Sequence, residues 1–150
     1  MAATVGWNDV VARVARGCDG EATMRHALLI PALAWAGVIF GLSSMSSPPA
    51  PKTFDAFSAL AHVFVYAVLA FLLMLWARRA FPGRSAALLM SAVWAVAILY
   101  GVSDEWHQSF VPGRHATALD VGFDAVGAAL GLAGWPALEA IRPLRSLSPR

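Results

Sequence analysis

Charged residues are scarce in this 150-residue chain. They make up 13% of it, whereas hydrophobic residues make up 59%. Soluble domains carry about twice that share of charge, because polar groups must cover a large surface around the core. Together with a mean hydropathy of +0.63, this composition argues against a soluble enzyme, a nucleic-acid-binding protein and a disordered chain. It predicts a small integral membrane protein with one domain.

Cysteine is almost missing too, since Cys18 is the single one in the sequence. A single cysteine excludes a disulfide framework and any zinc or iron–sulfur site built from cysteines. The chain also lacks the HExxH pattern, the nucleophile elbow and the phosphate-binding loop. None of these familiar short signatures of metalloproteases, α/β-hydrolases or nucleotide-binding proteins is therefore present.

Four apolar stretches predict an all-α fold, namely an integral membrane bundle of four transmembrane helices. Each stretch is close to the ~20 residues that cross a bilayer as a helix. They cover residues 27–45, 56–77, 85–102 and 116–137. The fourth stretch contains Asp120 and Asp124 and is rich in glycine and alanine. We therefore expect it to pack against the other helices more than against lipid.

The basic residues predict how the bundle is oriented. All but Lys52 and Arg114 lie before the first stretch, between the second and third, or after the fourth. Because cytoplasmic loops are rich in lysine and arginine, we expect both termini to be cytoplasmic. The pI near 9.2 thus reflects membrane orientation, and no nucleic-acid partner is expected.

The same pattern divides the chain into three parts. Residues 1–26 are predicted to be a cytoplasmic lead-in, which either forms an amphipathic helix on the membrane surface or is loosely ordered. Residues 27–137 form the membrane domain, and residues 138–150 form a basic cytoplasmic tail.

Polar residues of three predicted helices converge just below the outer membrane surface. They include three i,i+4 pairs, and the members of each pair share one helix face. These residues are His62 with Tyr66, Asp104 with Gln108, and Asp120 with Asp124, together with Glu105 and His107. A charged group at the centre of a membrane helix costs about 2.5–3.5 kcal/mol on insertion scales. Such carboxylates therefore predict a functional site in which partners or water compensate the charge.

Arg114 is the natural candidate for that compensation. It follows Pro112 and Gly113, a pair typical of a type II turn that would fold the loop back over the helices. Its guanidinium is suited to bidentate contact with a carboxylate of the chain or with the phosphate of a ligand. Both alternatives are open at this stage.

Gly127 and Gly131 have the spacing of a helix-packing motif. This face of the fourth helix is suited to a contact inside the chain and equally to a contact between two copies, so a homo-oligomer through this face is one prediction.

The segment from Asp104 to Arg114, followed by Asp120 and Asp124, closely resembles the signature of the VanZ-like family of small bacterial membrane proteins. The segment His62–Tyr66 and the pair Ser43–Ser44 are similar to that family as well, and the resemblance covers about residues 27–135. It implies a multi-pass protein of the bacterial cytoplasmic membrane with a role in the cell envelope. The eponymous member is associated with teicoplanin resistance, so the resemblance also implies a link to glycopeptide tolerance.

Three functional hypotheses follow. In the first, the protein binds or handles an anionic envelope component, either a lipid-linked phosphate or a phospholipid head group, through Arg114 and His62. In the second, it is a metal-dependent hydrolase or transferase acting on a lipid phosphate, with Ser43 or Ser44 as the candidate nucleophile. The candidate ligands for a divalent metal cofactor are Asp104, Glu105, His107, Asp120 and Asp124. In the third, the protein is a structural or partner protein, and the polar residues only lock its helices together.

Overall fold

The computed structural model describes residues 26–46, 55–114 and 116–141, which form helices and turns without any β-strand among them. The helices are α1 (Ile30–Ser43), α2 (Asp55–Ala80), α3 (Ala86–Gln108), α4 (Ala118–Ala133) and α5 (Trp135–Ile141). The predicted all-α fold is therefore confirmed. Three helical segments are long and apolar enough to cross a membrane: α2, α3, and α4 with the start of α5.

The first apolar helix is shorter than predicted. The sequence predicts a span over residues 27–45, whereas α1 has 14 residues, or about 21 Å at 1.5 Å per residue. Pro31 lies in the first turn of α1 and has no backbone N–H to continue the hydrogen-bond ladder toward the N-terminus. Residues 26 and 27 are helical as well, and a turn at residues 28 and 29 separates them from α1, which begins directly before this proline.

Other helix ends fall beyond the predicted apolar stretches. Helix α3 continues through the polar residues up to Gln108, well past residue 102. Helix α5 follows α4 after Gly134 and runs to Ile141, and an ion pair between Glu139 and Arg78 (2.6 Å) links it to the end of α2. The predicted surface helix before residue 26 and the basic tail from residue 142 lie outside the described residues.

Helices α2 and α4 pack so closely that their backbones touch. A Cβ atom on Gly127 would lie 2.3 Å from the carbonyl oxygen of Val63, and one on Gly131 would lie 2.2 Å from that of Ala67. The predicted packing motif of Gly127 and Gly131 thus forms a contact between two helices of the same chain. In this structure α2 covers the face, and a homo-oligomer through it stays a prediction.

Side-chain donors also connect the helices to one another. Indole N–H and phenol O–H groups of one helix donate to backbone carbonyl oxygens of a neighbouring helix. The bonds run from Trp35 to Val65 (2.8 Å), from Trp94 to Ala125 (2.9 Å) and from Tyr100 to Ala36 (2.7 Å). Inside a membrane, such bonds satisfy polar groups that cannot form hydrogen bonds to water.

Large apolar side chains point outward from every long helix. Leu60, Leu99 and Leu130 are more than half exposed, whereas Met74 and Ala97 belong to the buried core between the helices. An apolar exterior of this extent is typical of helices that face lipid. The protein is a helical membrane protein.

Alanine substitutions at the two close contacts test the α2–α4 packing. We expect Gly127→Ala and Gly131→Ala each to lower the free energy of unfolding by about 1–3 kcal/mol, because the added methyl group forces the two backbones apart. Gly122→Ala is the matched control on the same helix, since nothing lies within 4 Å of its Cβ position. Reversible unfolding in SDS measures all three variants, and equal stabilities would contradict the packing.

Candidate functional site

The helix directions bring the predicted polar residues to one end of the bundle. The last turns of α1 and α3 and the first turns of α2 and α4 meet there through side-chain hydrogen bonds. We call this region the polar end. It comprises Ser43, Ser44, His62, Asp104, Glu105, His107, Gln108, Arg114, Thr117, Asp120 and Asp124.

His62 of α2 and Asp124 of α4 form the most deeply buried ion pair of the polar end. Nδ1 of His62 lies 2.8 Å from Oδ1 of Asp124, and the Asp124 side chain is fully buried. The space for this carboxylate comes from α3, because a Cβ on Gly101 would lie only 2.6 Å from Oδ2 of Asp124. Three helices thus meet at this carboxylate, and the glycine at position 101 makes room for it.

Thr117 organises two further carboxylates at the start of α4. Its backbone N–H donates to Oε2 of Glu105 (3.0 Å), and its hydroxyl donates to Oδ2 of Asp120 (2.7 Å). The same hydroxyl accepts the backbone N–H of Asp120 (3.2 Å) as the helix cap. The sequence interpretation missed Thr117, although the spacing Thr117-x-x-Asp120 is the pattern that marks a helix N-terminus.

His62, Glu105 and Asp120 approach one another closely. One potential ligand atom from each of these residues lies within 4.8 Å of those of the other two. They come from α2, α3 and α4 respectively. The three helices therefore bring one nitrogen ligand and two carboxylates to a common point.

A second group of polar side chains links α1 to α3. The hydroxyl of Ser43 donates to Oδ2 of Asp104 (2.6 Å), and the Gln108 amide donates to both of these oxygens (3.1 Å each). All three side chains are buried. Ser43 at the end of α1 is thus bonded to the polar residues of α3.

Ser44 reaches the same end of the bundle but at its exposed side. Its hydroxyl donates to the carbonyl oxygen of Phe40 (2.7 Å) and lies 3.1 Å from Nε2 of His107. The His107 ring also stacks against Phe40, with ring centroids 4.5 Å apart. Since the single hydroxyl proton goes to the carbonyl, the imidazole donates to Ser44.

Arg114, the predicted partner of the carboxylates, binds a backbone carbonyl instead of the described carboxylates of the polar end. The predicted turn is present, because Gly113 has φ +81° and the N–H of Arg114 donates to the carbonyl of Val111 (3.1 Å). This turn directs the guanidinium to the C-terminal end of α1, where it donates to the carbonyl oxygen of Leu42 (2.7 Å). The free carbonyl groups of a helix C-terminus attract a cation, and His62 instead holds Asp124.

Tyr66 lies one turn deeper than His62 and is completely buried in the core. Its ring packs near that of Tyr100, with centroids 6.2 Å apart. Its hydroxyl has no hydrogen-bond partner among the described residues. The structure thus places Tyr66 beneath the polar end and outside its hydrogen-bonded groups.

Fold and polar end together define a small helical membrane protein whose buried carboxylates are gathered at one end of an apolar bundle. The model of the VanZ/LLP1 family matches residues 13–139, and the chain belongs to this family. The resemblance noted from the motifs is thereby confirmed. No curated protein and no solved structure matches the chain significantly.

A double-mutant cycle tests the buried ion pair. We expect His62→Ala and Asp124→Ala to show a coupling energy of about 1–3 kcal/mol, because contacting buried partners depend on each other. The matched control is the pair Arg78–Glu139, whose side chains are 27% and 32% exposed. Its coupling should stay below about 1 kcal/mol. Equal coupling energies for the two pairs in SDS unfolding would refute the deep pairing of His62 with Asp124.

Proposed function

We propose that the polar end binds the anionic head group of an envelope lipid, either a phospholipid or a lipid-linked phosphate. The observation that supports this proposal most is the set of partners that the Arg114 guanidinium binds. Its described partner is a backbone carbonyl, and no salt bridge joins it to Asp104, Glu105, Asp120 or Asp124. These four carboxylates therefore leave its positive charge available to a ligand.

The guanidinium of Arg114 retains the donors that a phosphate needs. Arginine has five N–H donors, and the described bond to Leu42 uses one terminal nitrogen. Nε of Arg114 is buried and without a partner among the described residues. A fixed guanidinium with free donors recognises phosphate in a bidentate manner. Of the two alternatives for Arg114, these contacts favour the phosphate of a ligand over a carboxylate of the chain.

Unpartnered buried atoms favour binding over a purely structural role. Within the described residues, Oδ1 of Asp104, Oε1 of Glu105 and Oδ2 of Asp124 are buried without a hydrogen-bond partner. Buried polar atoms in folded proteins are nearly always satisfied. A cluster that only locked helices together would leave few such atoms. Because carboxylate oxygens are acceptors, they indicate a partner that carries positive charge or donates a proton, and not the phosphate itself.

The hydrogen bonds of Ser43 and Ser44 give hydrolysis or group transfer less support than binding receives. Ser44 donates its proton to the Phe40 carbonyl, so His107 does not act as its base in this arrangement. Ser43 donates to Asp104 and is held there by Gln108. Asp104 is a base within reach of the Ser43 hydroxyl, but Ser43 is only 4% exposed and offers a substrate little access. Binding is therefore our leading proposal.

We also propose on which side of the membrane the head group binds. We expect the polar end to face the outer side of the bacterial cytoplasmic membrane, as the distribution of basic residues predicts. The head group would then be recognised from the outer leaflet, where envelope precursors are used. A link to glycopeptide tolerance remains an expectation from the family resemblance.

Removal of the guanidinium tests the proposal. We expect Arg114→Ala to weaken the binding of phosphatidylglycerol about ten-fold or more, because a hydrogen bond to a charged group contributes about 1.5–3 kcal/mol. Arg114→Lys keeps the charge but loses the planar fork, so it should bind with intermediate affinity. Native mass spectrometry with phosphatidylglycerol, and with phosphatidylcholine as the neutral lipid, measures both variants.

The matched control is Arg79→Ala, since Arg79 is an exposed arginine in the last turn of α2, far from the polar end. It should bind the anionic lipid like the unmodified chain. If Arg114→Ala retains the same amount of phosphatidylglycerol as Arg79→Ala, Arg114 does not bind the head group and the proposal is wrong.

A further inference from the structure

We propose that His62, Glu105 and Asp120 form the binding site for one divalent cation. Ligand atoms of the three residues lie within 4.8 Å of one another. Two ligands about 2.1 Å from one ion are at most about 4.2 Å apart, so shifts of about half an ångström would close the site. One imidazole and two carboxylates suit ions such as Mn²⁺ and Zn²⁺.

Each of the three candidate ligands is held by a second residue. Nδ1 of His62 lies 2.8 Å from Asp124, which leaves Nε2 for the ion. Thr117 holds one oxygen of Glu105 through its N–H and one oxygen of Asp120 through its hydroxyl. A histidine whose second nitrogen is held by a carboxylate is the usual arrangement around protein-bound metals.

Two buried oxygens independently indicate a missing partner. Glu105 is 6% exposed and Asp124 is 1% exposed. Oε1 of Glu105 and Oδ2 of Asp124 have no hydrogen-bond partner among the described residues. Oε1 is the second oxygen of the Glu105 carboxyl group, whose Oε2 accepts the N–H of Thr117. A cation at the common point would satisfy the oxygen that is left over.

Charge balance supports the same conclusion. A His62 that binds the ion through Nε2 is neutral and still donates its Nδ1–H to Asp124. Arg114 lies at the end of α1 and, among the described residues, does not pair with Glu105 or Asp120. No salt bridge to either carboxylate exists among the described residues. Charged carboxylates away from water need a cation or a metal as partner. A divalent ion provides that charge.

Three protein ligands leave coordination positions open, as in metal sites that bind a further molecule. A phosphate oxygen of the head group would occupy one of these positions, which explains how an end rich in carboxylates accepts an anion. This last step rests on the proposed function. Cation binding itself rests on the geometry of the described residues and is measured without lipid.

Titration with Mn²⁺ in detergent, followed by electron paramagnetic resonance, tests the cation site. The unmodified chain should remove one Mn²⁺ per chain from the free-ion signal. Glu105→Gln and Asp120→Asn should weaken this binding ten-fold or more, because an amide keeps an acceptor for Thr117 but loses the charge. Glu139→Gln is the matched control at the opposite end of the bundle, and it should bind like the unmodified chain.

A second measurement identifies a ligand directly in the unmodified chain. Electron spin echo spectra of Mn²⁺ in the unmodified chain should show the nitrogen coupling of one histidine, and His62→Gln should remove it. Absence of Mn²⁺ binding, absence of nitrogen coupling, or binding unchanged in Glu105→Gln would each overturn the cation site.

The lipid assay separates this proposal from the proposed function. Phosphatidylglycerol binding that depends on Arg114 but persists after treatment with EDTA overturns the cation and leaves the proposed function intact. Mn²⁺ binding through His62 with no preference for anionic lipid supports the cation and overturns the proposed function.

Discussion

The polar end depends on one constraint, which is that a carboxylate removed from water must find a partner. Asp104, Glu105 and Asp124 are each at most 6% exposed, and each carboxyl group receives a different kind of partner. Asp124 takes the imidazole of His62, Asp104 takes neutral donors from Ser43 and Gln108, and Glu105 takes a backbone N–H. Because all of these partners except Gln108 belong to other helices or to the residue that caps α4, the ends of α1 to α4 meet at the carboxylates. The site therefore depends directly on how the helices pack.

Close backbone packing makes these contacts possible. The glycine face of α4 lets α2 approach at Val63, directly beside His62, and Gly101 of α3 leaves the space that Asp124 fills. A larger residue at either position would separate the helices before the imidazole and the carboxylate could meet. The small residues of α4 thus allow His62 to come within hydrogen-bond distance of Asp124. The glycine motif and this pair belong to the same interface between α2 and α4.

The sequence predicted the helices, the polar residues and the turn at Gly113, because hydropathy, i,i+4 spacing and a Pro-Gly pair are local signals. It did not predict the partner of each charge. Arg114 was expected to compensate the carboxylates, but the turn directs it to the Leu42 carbonyl, and that direction depends on where α1 ends in space. The contact between Gly101 and Asp124 has no local signal, because it follows from how α3 and α4 cross. Thr117 had a local signal in its spacing to Asp120, but its backbone bond to Glu105 depends on where α3 ends and has no such signal.

The central claim is that the polar end is a binding site whose carboxylates hold a cation. Crystals grown in a lipid phase with Mn²⁺ and phosphatidylglycerol test this most directly, through anomalous scattering at the manganese edge. The account predicts one anomalous peak bounded by His62, Glu105 and Asp120, with a phosphate group between that peak and Arg114. A peak elsewhere, or no peak with these three side chains bonded only to protein groups, would contradict it.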